Sequence, residues 1–148
     1  MRISWIVCCL SLAFVSLVAI QFAWATEPGP VDIDAPKEFT TARSGLKYRI
    51  LRKSDGAKPR QTDTVTVNYK GWLDDGKEFD SSYNRGKPTP LPLNRVIDGW
   101  KEGIQLVGKG GMIELEIPSK LGYGPNGQGP IPGGATLHFI VELIDIEK

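Results

Sequence analysis

The sequence predicts an α+β fold in which an antiparallel β-sheet of five to six strands wraps around one short α-helix. Several segments alternate apolar and polar residues with the period of a β-strand, whereas only residues 94–104 show a helical period. Two further segments, 84–95 and 121–134, are rich in Pro and Gly and are typical of irregular loops. Because one helix this short is marginal in water by itself, it has to be held by the sheet.

The strand signals run through most of the chain. They cover residues 46–53, 64–70, 72–80, 112–118 and 135–147. The clearest is "TVTVNYK", in which Val65, Val67 and Tyr69 share one face of the strand. In "WLDDGKEFD", Asp75 and Gly76 lie between apolar residues and predict a tight hairpin. The last segment likewise places four apolar residues on one face: Leu137, Phe139, Val141 and Leu143.

The predicted helix has an unusual composition. Ile97, Trp100 and Ile104 fall at positions i, i+3 and i+7 and form its apolar face. Gly99 and Gly103 lie inside it, although an interior Gly costs about 1 kcal/mol of helix stability relative to Ala. We expect these glycines to mark places where strands or loops approach the helix closely.

The first 25 residues are predicted to be a signal peptide. Arg2 precedes an apolar run over residues 3–20, and Ala23-Trp24-Ala25 provides a cleavage site before Thr26. The alternative is an uncleaved signal anchor that tethers the chain, because the run approaches the ~20 residues that span a bilayer. A lipoprotein is disfavoured because Cys8 and Cys9 lie at the start of the run. The final residues, "DIEK", lack a retention signal of the endoplasmic reticulum, so we expect export to a bacterial periplasm.

Residues 26–44 are predicted to form an exposed, partly flexible leader, and residues 45–148 the folded domain. The leader is rich in Pro, Asp and small residues and shows no apolar periodicity. The alternative is an ordered interaction arm, for which only Val31, Ile33 and Phe39 are available as apolar anchors.

The composition excludes several classes of function. Removing Arg2 from the 18 Lys and Arg residues leaves 17 basic residues against 17 acidic ones, and their dispersal without a basic stripe argues against a nucleic-acid partner. Both cysteines lie in the predicted signal peptide, and the chain has a single His, His138. The mature chain therefore offers no plausible zinc site and no convincing Ser-His-acid set, and we expect neither a metal nor a cofactor.

Several large apolar residues occupy positions that are unusual for a core. Phe79 follows the predicted hairpin, Trp100 lies on the short helix, and Tyr123 and Ile131 lie in a loop rich in Gly and Pro. Together they predict a partly open apolar pocket with a few polar groups at its edge.

Three blocks of the sequence resemble the FKBP-type peptidyl-prolyl cis-trans isomerases, the tacrolimus-binding immunophilins. They are "VNYKGWLDDGKEFDSSYNRGKP", "VIDGWKEGIQLV" and "ELEIPSKLGYGPNGQGPIPGGATLHFIVEL", in register along residues 45–147. The leader is similar to the approach to the isomerase domain in secreted bacterial members of the macrophage-infectivity-potentiator type. Those members often carry an N-terminal dimerisation domain, for which the leader leaves no room, so we expect a monomer. The resemblance implies an FKBP-like fold, isomerase activity, and proline-containing polypeptides as partners.

The resemblance also implies a set of site residues. Asp80, Ile97, Trp100 and Tyr123 would act in catalysis, with the proline ring on the Trp100 indole and substrate carbonyls bound by the Ile97 N–H and the Tyr123 hydroxyl. The substrate-binding set would comprise Tyr69, Phe79, Leu91, Val96, Ile97, Trp100, Ile131 and Phe139. Thr89 stands where relatives often have Phe, Leu91 replaces a usual aromatic residue, and two loops are short. These departures bear on macrolides such as tacrolimus and on the residue preferred before proline.

Two other functions are compatible with the predicted pocket. A non-catalytic peptide-binding or chaperone module on the same fold is the first alternative, although such a module should lose some of the implied catalytic residues. A small extracytoplasmic all-β ligand-binding protein is the second, and it explains the register of the three blocks poorly.

Overall fold

A single antiparallel sheet of seven strands forms the framework of the computed structural model, which describes residues 26–148. The predicted signal peptide, residues 1–25, lies outside the described residues. The elements are β1 (Thr40–Thr41), β2 (Lys47–Arg52), β3 (Thr64–Leu73), β4 (Glu78–Ser81), β5 (Thr89–Pro92), α1 (Asp98–Ile104), β6 (Met112–Ile117) and β7 (Leu137–Glu147), with 3₁₀ turns at Leu93–Arg95 and Ser119–Leu121. The strand order is β1-β2-β6-β7-β3-β4, and β5 also pairs with β3. The predicted fold class is confirmed, with more strands than expected.

The two additional strands lie where the sequence predicted loop or leader. β5 pairs with the first half of β3, placing Pro90 opposite Thr66 and Pro92 opposite Thr64. Because a proline has no N–H to donate, such a strand fits only at the edge of a sheet. The prolines are also the reason why the sequence predicted a loop here. β1 has only two residues and pairs with Lys47 and Tyr48 of β2.

The central strand β3 has the predicted alternation along its whole length. Val65, Val67, Tyr69, Gly71 and Leu73 are buried, and the residues that alternate with them are partly exposed. On the neighbouring β7, the predicted apolar face from Leu137 to Leu143 is buried as well. These side chains form the core, together with those of β6 and of the helix.

The helix α1 is shorter than predicted, beginning at Asp98 rather than at Asn94. Ile97 precedes it in an extended conformation and makes no side-chain cap, so it does not belong to the helical face predicted for it. A Cβ atom placed on Gly99 would lie 2.5 Å from Cγ2 of Ile117, and one on Gly103 would lie 2.6 Å from Cδ2 of Leu115. Both neighbours belong to β6, so the predicted close approach at these glycines is confirmed.

Hydrogen bonds attach the leader to the sheet. Asp32 donates its N–H to the carbonyl of Leu51 (2.8 Å) and accepts the N–H of Lys53 through Oδ2 (2.7 Å). Of the three apolar residues considered as anchors, Val31 is 52% and Ile33 106% exposed, whereas Phe39 is partly buried, its ring centroid 4.9 Å from Cζ of Arg49. Val31 and Ile33 are thus exposed, while the backbone of the segment is bonded to β2. None of the helices within residues 26–148 has the length and apolarity needed to span a bilayer.

Candidate functional site

A cavity of about 530 Å³ opens between α1, the sheet and the loop that precedes β7. All ten predicted site residues line it: Tyr69, Phe79, Asp80, Leu91, Val96, Ile97, Trp100, Tyr123, Ile131 and Phe139. Four further lining residues were not predicted: Arg95, Gln128, Gly129 and Pro130. Each of the four lies within three residues of a predicted one in a Pro- or Gly-rich segment, so adjacency was the only available signal.

The base of the cavity is a cluster of aromatic rings around Trp100. The Trp100 ring lies 5.1 Å from that of Tyr69 and 5.2 Å from that of Phe139, both edge-to-face. Phe79 packs edge-to-face on Phe139 at 5.4 Å. Edge-to-face packing of this kind adds about 0.5–1.5 kcal/mol per pair beyond the area buried. The four rings therefore support one another, and Trp100 is only 4% exposed.

Gly71 provides the space that two of these rings occupy. It lies on β3 directly opposite Phe139 of β7. A Cβ atom at this position would lie 2.5 Å from Cε1 of Phe139 and 2.8 Å from Cζ of Phe79. Any larger residue would displace the wall of the cavity, so the glycine in "VNYKG" is needed for its shape.

A hydrogen-bond network fixes the polar edge of the cavity. The Tyr69 hydroxyl donates to Oδ2 of Asp80 (2.5 Å), and Arg85 binds Oδ1 of Asp80 through Nη1 (2.5 Å). Arg85 Nη2 also donates to the Tyr69 hydroxyl oxygen (2.7 Å) and to Oγ1 of Thr89 (3.3 Å). Sequence reasoning missed Arg85, because nothing in "SSYNRGKP" indicates which residue it contacts.

The surroundings of Tyr69 favour its protonated form. Burial, and then the hydrogen bond to Asp80, raise the pKa of Tyr69 to about 12 from its ordinary value of 10.0. The hydroxyl is thus a donor at neutral pH, and the carboxylate of Asp80 accepts from both of its neighbours. The result is an acidic side chain that is oriented and paired at the edge of an apolar cavity.

Among the hydrogen-bond donors at the cavity that have no acceptor within residues 26–148 are the buried indole N–H of Trp100 and two further groups, the Ile97 N–H and the Tyr123 hydroxyl. The Ile97 N–H donates to no described group, although the Ile97 carbonyl accepts from the N–H groups of Trp100 (3.0 Å) and Lys101 (3.1 Å). The hydroxyl of Tyr123, which lies just beyond the second 3₁₀ turn, also makes no hydrogen bond in this part of the chain. Burial raises the pKa of Tyr123, so its hydroxyl keeps its proton. Both groups are available to a polar ligand.

The loop before β7 is held by its own backbone. Gln128 and Ile131 exchange two hydrogen bonds, each of 2.9 Å between N and O, and Gly134 donates to the carbonyl of Gly124 (2.9 Å). A Cβ atom on Gly133 would lie only 1.9 Å from the carbonyl oxygen of Pro125, so the loop closes on itself at that point. This closure places Ile131, which is 7% exposed, in the wall of the cavity.

Within residues 26–148 no group of three His, Cys, Asp or Glu side chains is placed to hold a metal ion. His138 lies beside Phe139 on β7, its ring stacked on Trp72 at 5.8 Å. Its Nε2 is 2.7 Å from Oδ1 of Asp74. Because neighbouring residues of a strand point to opposite faces, His138 is directed away from the cavity, as the sequence indicates.

Comparisons with known proteins agree with this geometry. Residues 55–144 match the family model described as FKBP-type peptidyl-prolyl cis-trans isomerase. The chain is 51% identical over 116 residues to the FKBP-type peptidyl-prolyl cis-trans isomerase FkpA of Aeromonas hydrophila, covering 78% of this chain and 43% of that protein. The crystal structure of FkpA from Escherichia coli superposes with a TM-score of 0.74 at 48% identity, covering 76% of this chain and 53% of that one. A peptidyl-prolyl cis-trans isomerase from Pseudomonas syringae superposes with a TM-score of 0.70 at 33% identity, covering 76% and 84%.

The chain spans less than half the length of the curated FkpA relatives from Aeromonas hydrophila and Escherichia coli, 43% and 41% respectively. The shared part is the one that builds the cavity, since the family model covers every residue that lines it. On this sequence and structural similarity, the chain belongs to the FKBP-type peptidyl-prolyl cis-trans isomerase family.

Proposed function

We propose that this chain is a peptidyl-prolyl cis-trans isomerase that accelerates rotation about X-Pro bonds in polypeptides folding outside the cytoplasm. The observation that carries the proposal is the cavity itself: about 530 Å³ over an aromatic base, with the free Ile97 N–H and Tyr123 hydroxyl in its lining. Family membership supports the same reaction.

The reaction requires rotation about one bond and no bond cleavage. Amide resonance sets a barrier of ~18–20 kcal/mol, which makes uncatalysed isomerisation of an X-Pro bond take tens to hundreds of seconds. Twisting the bond by about 90° breaks the resonance and makes the amide less dipolar. Moving from water into an apolar cavity therefore costs the planar amide more free energy than the twisted one. The cavity thus binds the transition state more tightly than the ground state, which is the requirement for catalysis.

The residues divide this task between them. The proline ring rests on the Trp100 indole, walled by Tyr69, Phe79 and Phe139, while the Ile97 N–H and the Tyr123 hydroxyl bind substrate carbonyls on either side of the rotating bond. An acceleration of ~10⁵ requires about 7 kcal/mol, whereas one hydrogen bond contributes about 1 kcal/mol net. The apolar environment must therefore supply most of the effect, and neither a nucleophile nor a cofactor is needed.

The test is a peptide assay limited by proline isomerisation, with kcat/KM as the readout. Trp100→Ala should reduce kcat/KM sharply, and its thermal unfolding reports whether the fold survives. Tyr123→Phe deletes one hydroxyl and should lower kcat/KM by about fivefold, the value of one hydrogen bond of about 1 kcal/mol made in the transition state. Tyr48→Phe is the matched control, because Tyr48 packs against the core outside the cavity. Unchanged rates for both site variants would overturn the proposal.

This assay also distinguishes the isomerase from the alternative, a non-catalytic peptide-binding module. Such a module would bind proline-containing peptides without accelerating their isomerisation. Under the proposal, tacrolimus inhibits the reaction by occupying the same cavity, and the active species is a monomer. The signal peptide predicted at residues 1–25 supports export, with the bacterial periplasm as the compartment.

A further inference from the structure

Two residues with a full charge line the cavity, and their charges are not equally compensated. Asp80 is bound by Arg85 at 2.5 Å and by the hydroxyl of Tyr69 at 2.5 Å. Arg95, in contrast, forms no ion pair with any carboxylate within residues 26–148, and its side chain is exposed at the cavity edge. Once the Asp80–Arg85 pair is counted as neutral, the cavity has one uncompensated positive charge.

The position of Arg95 is fixed by the backbone that carries it. It ends the 3₁₀ turn Leu93–Arg95, whose first residue is fully buried and donates its N–H to the carbonyl of Asp63 (3.0 Å). The acidic residue that follows closely in the chain, Asp98, is paired with Lys101 at 2.9 Å and does not line the cavity. The guanidinium is therefore presented to whatever enters the cavity, with no competing carboxylate beside it.

Arg95 precedes Ile97, whose free N–H binds a substrate carbonyl in the proposed mechanism, by only two residues. An extended substrate advances about 3.3–3.6 Å per residue. The side chain of a residue adjacent to the proline thus lies within the reach of a guanidinium mounted two residues from that N–H. A guanidinium matches a carboxylate with two parallel hydrogen bonds, which an uncharged amide cannot reproduce.

We propose that Arg95 is a specificity-determining residue that favours substrates with an acidic residue directly before or directly after the proline. This inference rests on the proposed isomerase function and adds a charge preference to it. Because the pair forms at the exposed edge of the cavity, the preference for Glu over its neutral isostere Gln should be about two- to fivefold in kcat/KM. A Lys at the same position is disfavoured by a similar factor.

The experiment measures kcat/KM on two series of short peptides, with Glu, Gln or Lys placed either before or after the proline. In one of the two series the wild-type chain should prefer Glu to Gln, and the preference should shrink in 1 M salt, where charges are screened beyond ~3 Å. Arg95→Gln should remove the preference, and Arg95→Glu should reverse it in favour of Lys. Arg43→Gln is the matched control, since Arg43 is exposed and lies outside the cavity.

Equal values for Glu and Gln in both series, or a preference that persists in Arg95→Gln, would overturn the assignment of Arg95 while leaving the isomerase function intact. If the wild-type chain fails to accelerate even the Gln peptides, the proposed function falls and this inference falls with it. Circular dichroism of both Arg95 variants should match that of the wild type, because an exposed side chain with no partner is not needed for folding.

Discussion

A methyl group added at Gly99 tests how β6 holds the helix that carries Trp100. In Gly99→Ala the new Cβ atom would lie 2.5 Å from Cγ2, 2.8 Å from Cδ1 and 2.9 Å from Cγ1 of Ile117. Ile117 is fully buried, so its side chain has no space into which it can turn. The helix and the strand must separate locally, or Ile117 must adopt a strained rotamer.

Two opposing effects determine the change in the free energy of unfolding. Ala stabilises a helix interior by about 1 kcal/mol relative to Gly. Overpacking a core costs about 1–3 kcal/mol, and here the contact is with rigid side-chain atoms near the backbone rather than with a flexible end. We therefore expect Gly99→Ala to destabilise the chain by about 0–2 kcal/mol, the opposite sign from the same change in an exposed helix.

Urea unfolding of a double-mutant cycle makes the test sharper. Ile117→Ala removes the three carbon atoms that the new methyl group would meet. In the double variant the methyl group fills part of the space left by Ile117, so the two changes should couple favourably by about 1–3 kcal/mol. Pairing Gly99→Ala with Leu115→Ala is the control, because the nearest atoms to a Gly99 Cβ all belong to Ile117. A Gly99→Ala chain more stable than the wild type, with no coupling to residue 117, would refute the direct packing of α1 on β6.

Two further predictions concern groups outside the helix. Because the pKa of Tyr69 is raised from 10.0 to about 12, the stability it contributes is complete below pH 10 and is lost as the pH rises from 10 to about 12. An ultraviolet titration of tyrosinate should lose a component with that pKa in Tyr69→Phe, and a lost component near pH 10 would contradict it. Glu142, 6% exposed, binds Arg52 at 2.7 Å and accepts the Gly29 N–H at 3.2 Å. Glu142→Gln should lower the free energy of unfolding by about 1–3 kcal/mol and speed proteolysis near Gly29, whereas Glu147→Gln, at the exposed end of β7, should do neither.

The parts of the fold that the sequence predicted are those that local patterns determine. The alternation in β3 fixes which side chains enter the core, because the period of a strand leaves no other choice of face. The two glycines of α1 correctly indicated that another element packs closely against the helix. An interior Gly makes a helix less stable than Ala does, so its presence is explained by a neighbour that leaves no room for a side chain. Ten of the fourteen residues that line the cavity were implied by the resemblance of three short blocks to the FKBP-type isomerases.

The parts that the sequence did not predict depend on partners far away in the chain. Arg85 is important because it contacts Asp80 and Tyr69, and although it lies sixteen positions after Tyr69, nothing in the intervening sequence indicates the contact. The strand β5 forms because the first half of β3 has a free edge, although its prolines disfavour a strand. The leader is attached by backbone hydrogen bonds to β2, which leave no trace in an apolar pattern.

Because α1 is shorter than the predicted helix, it leaves the Ile97 N–H without a partner in the helix. In a helix beginning at Asn94, the N–H of Ile97 would donate to the carbonyl of Leu93, four residues earlier. In the structure the backbone is extended at Val96 and Ile97, the helix begins only at Asp98, and the Ile97 N–H is free at the cavity. The helix thereby gives up about one turn, and with it stability that its two glycines already reduce. Contact with β6 replaces that stability. The close packing of β6 on Gly99 therefore allows the chain to keep the Ile97 N–H unpaired beside Trp100.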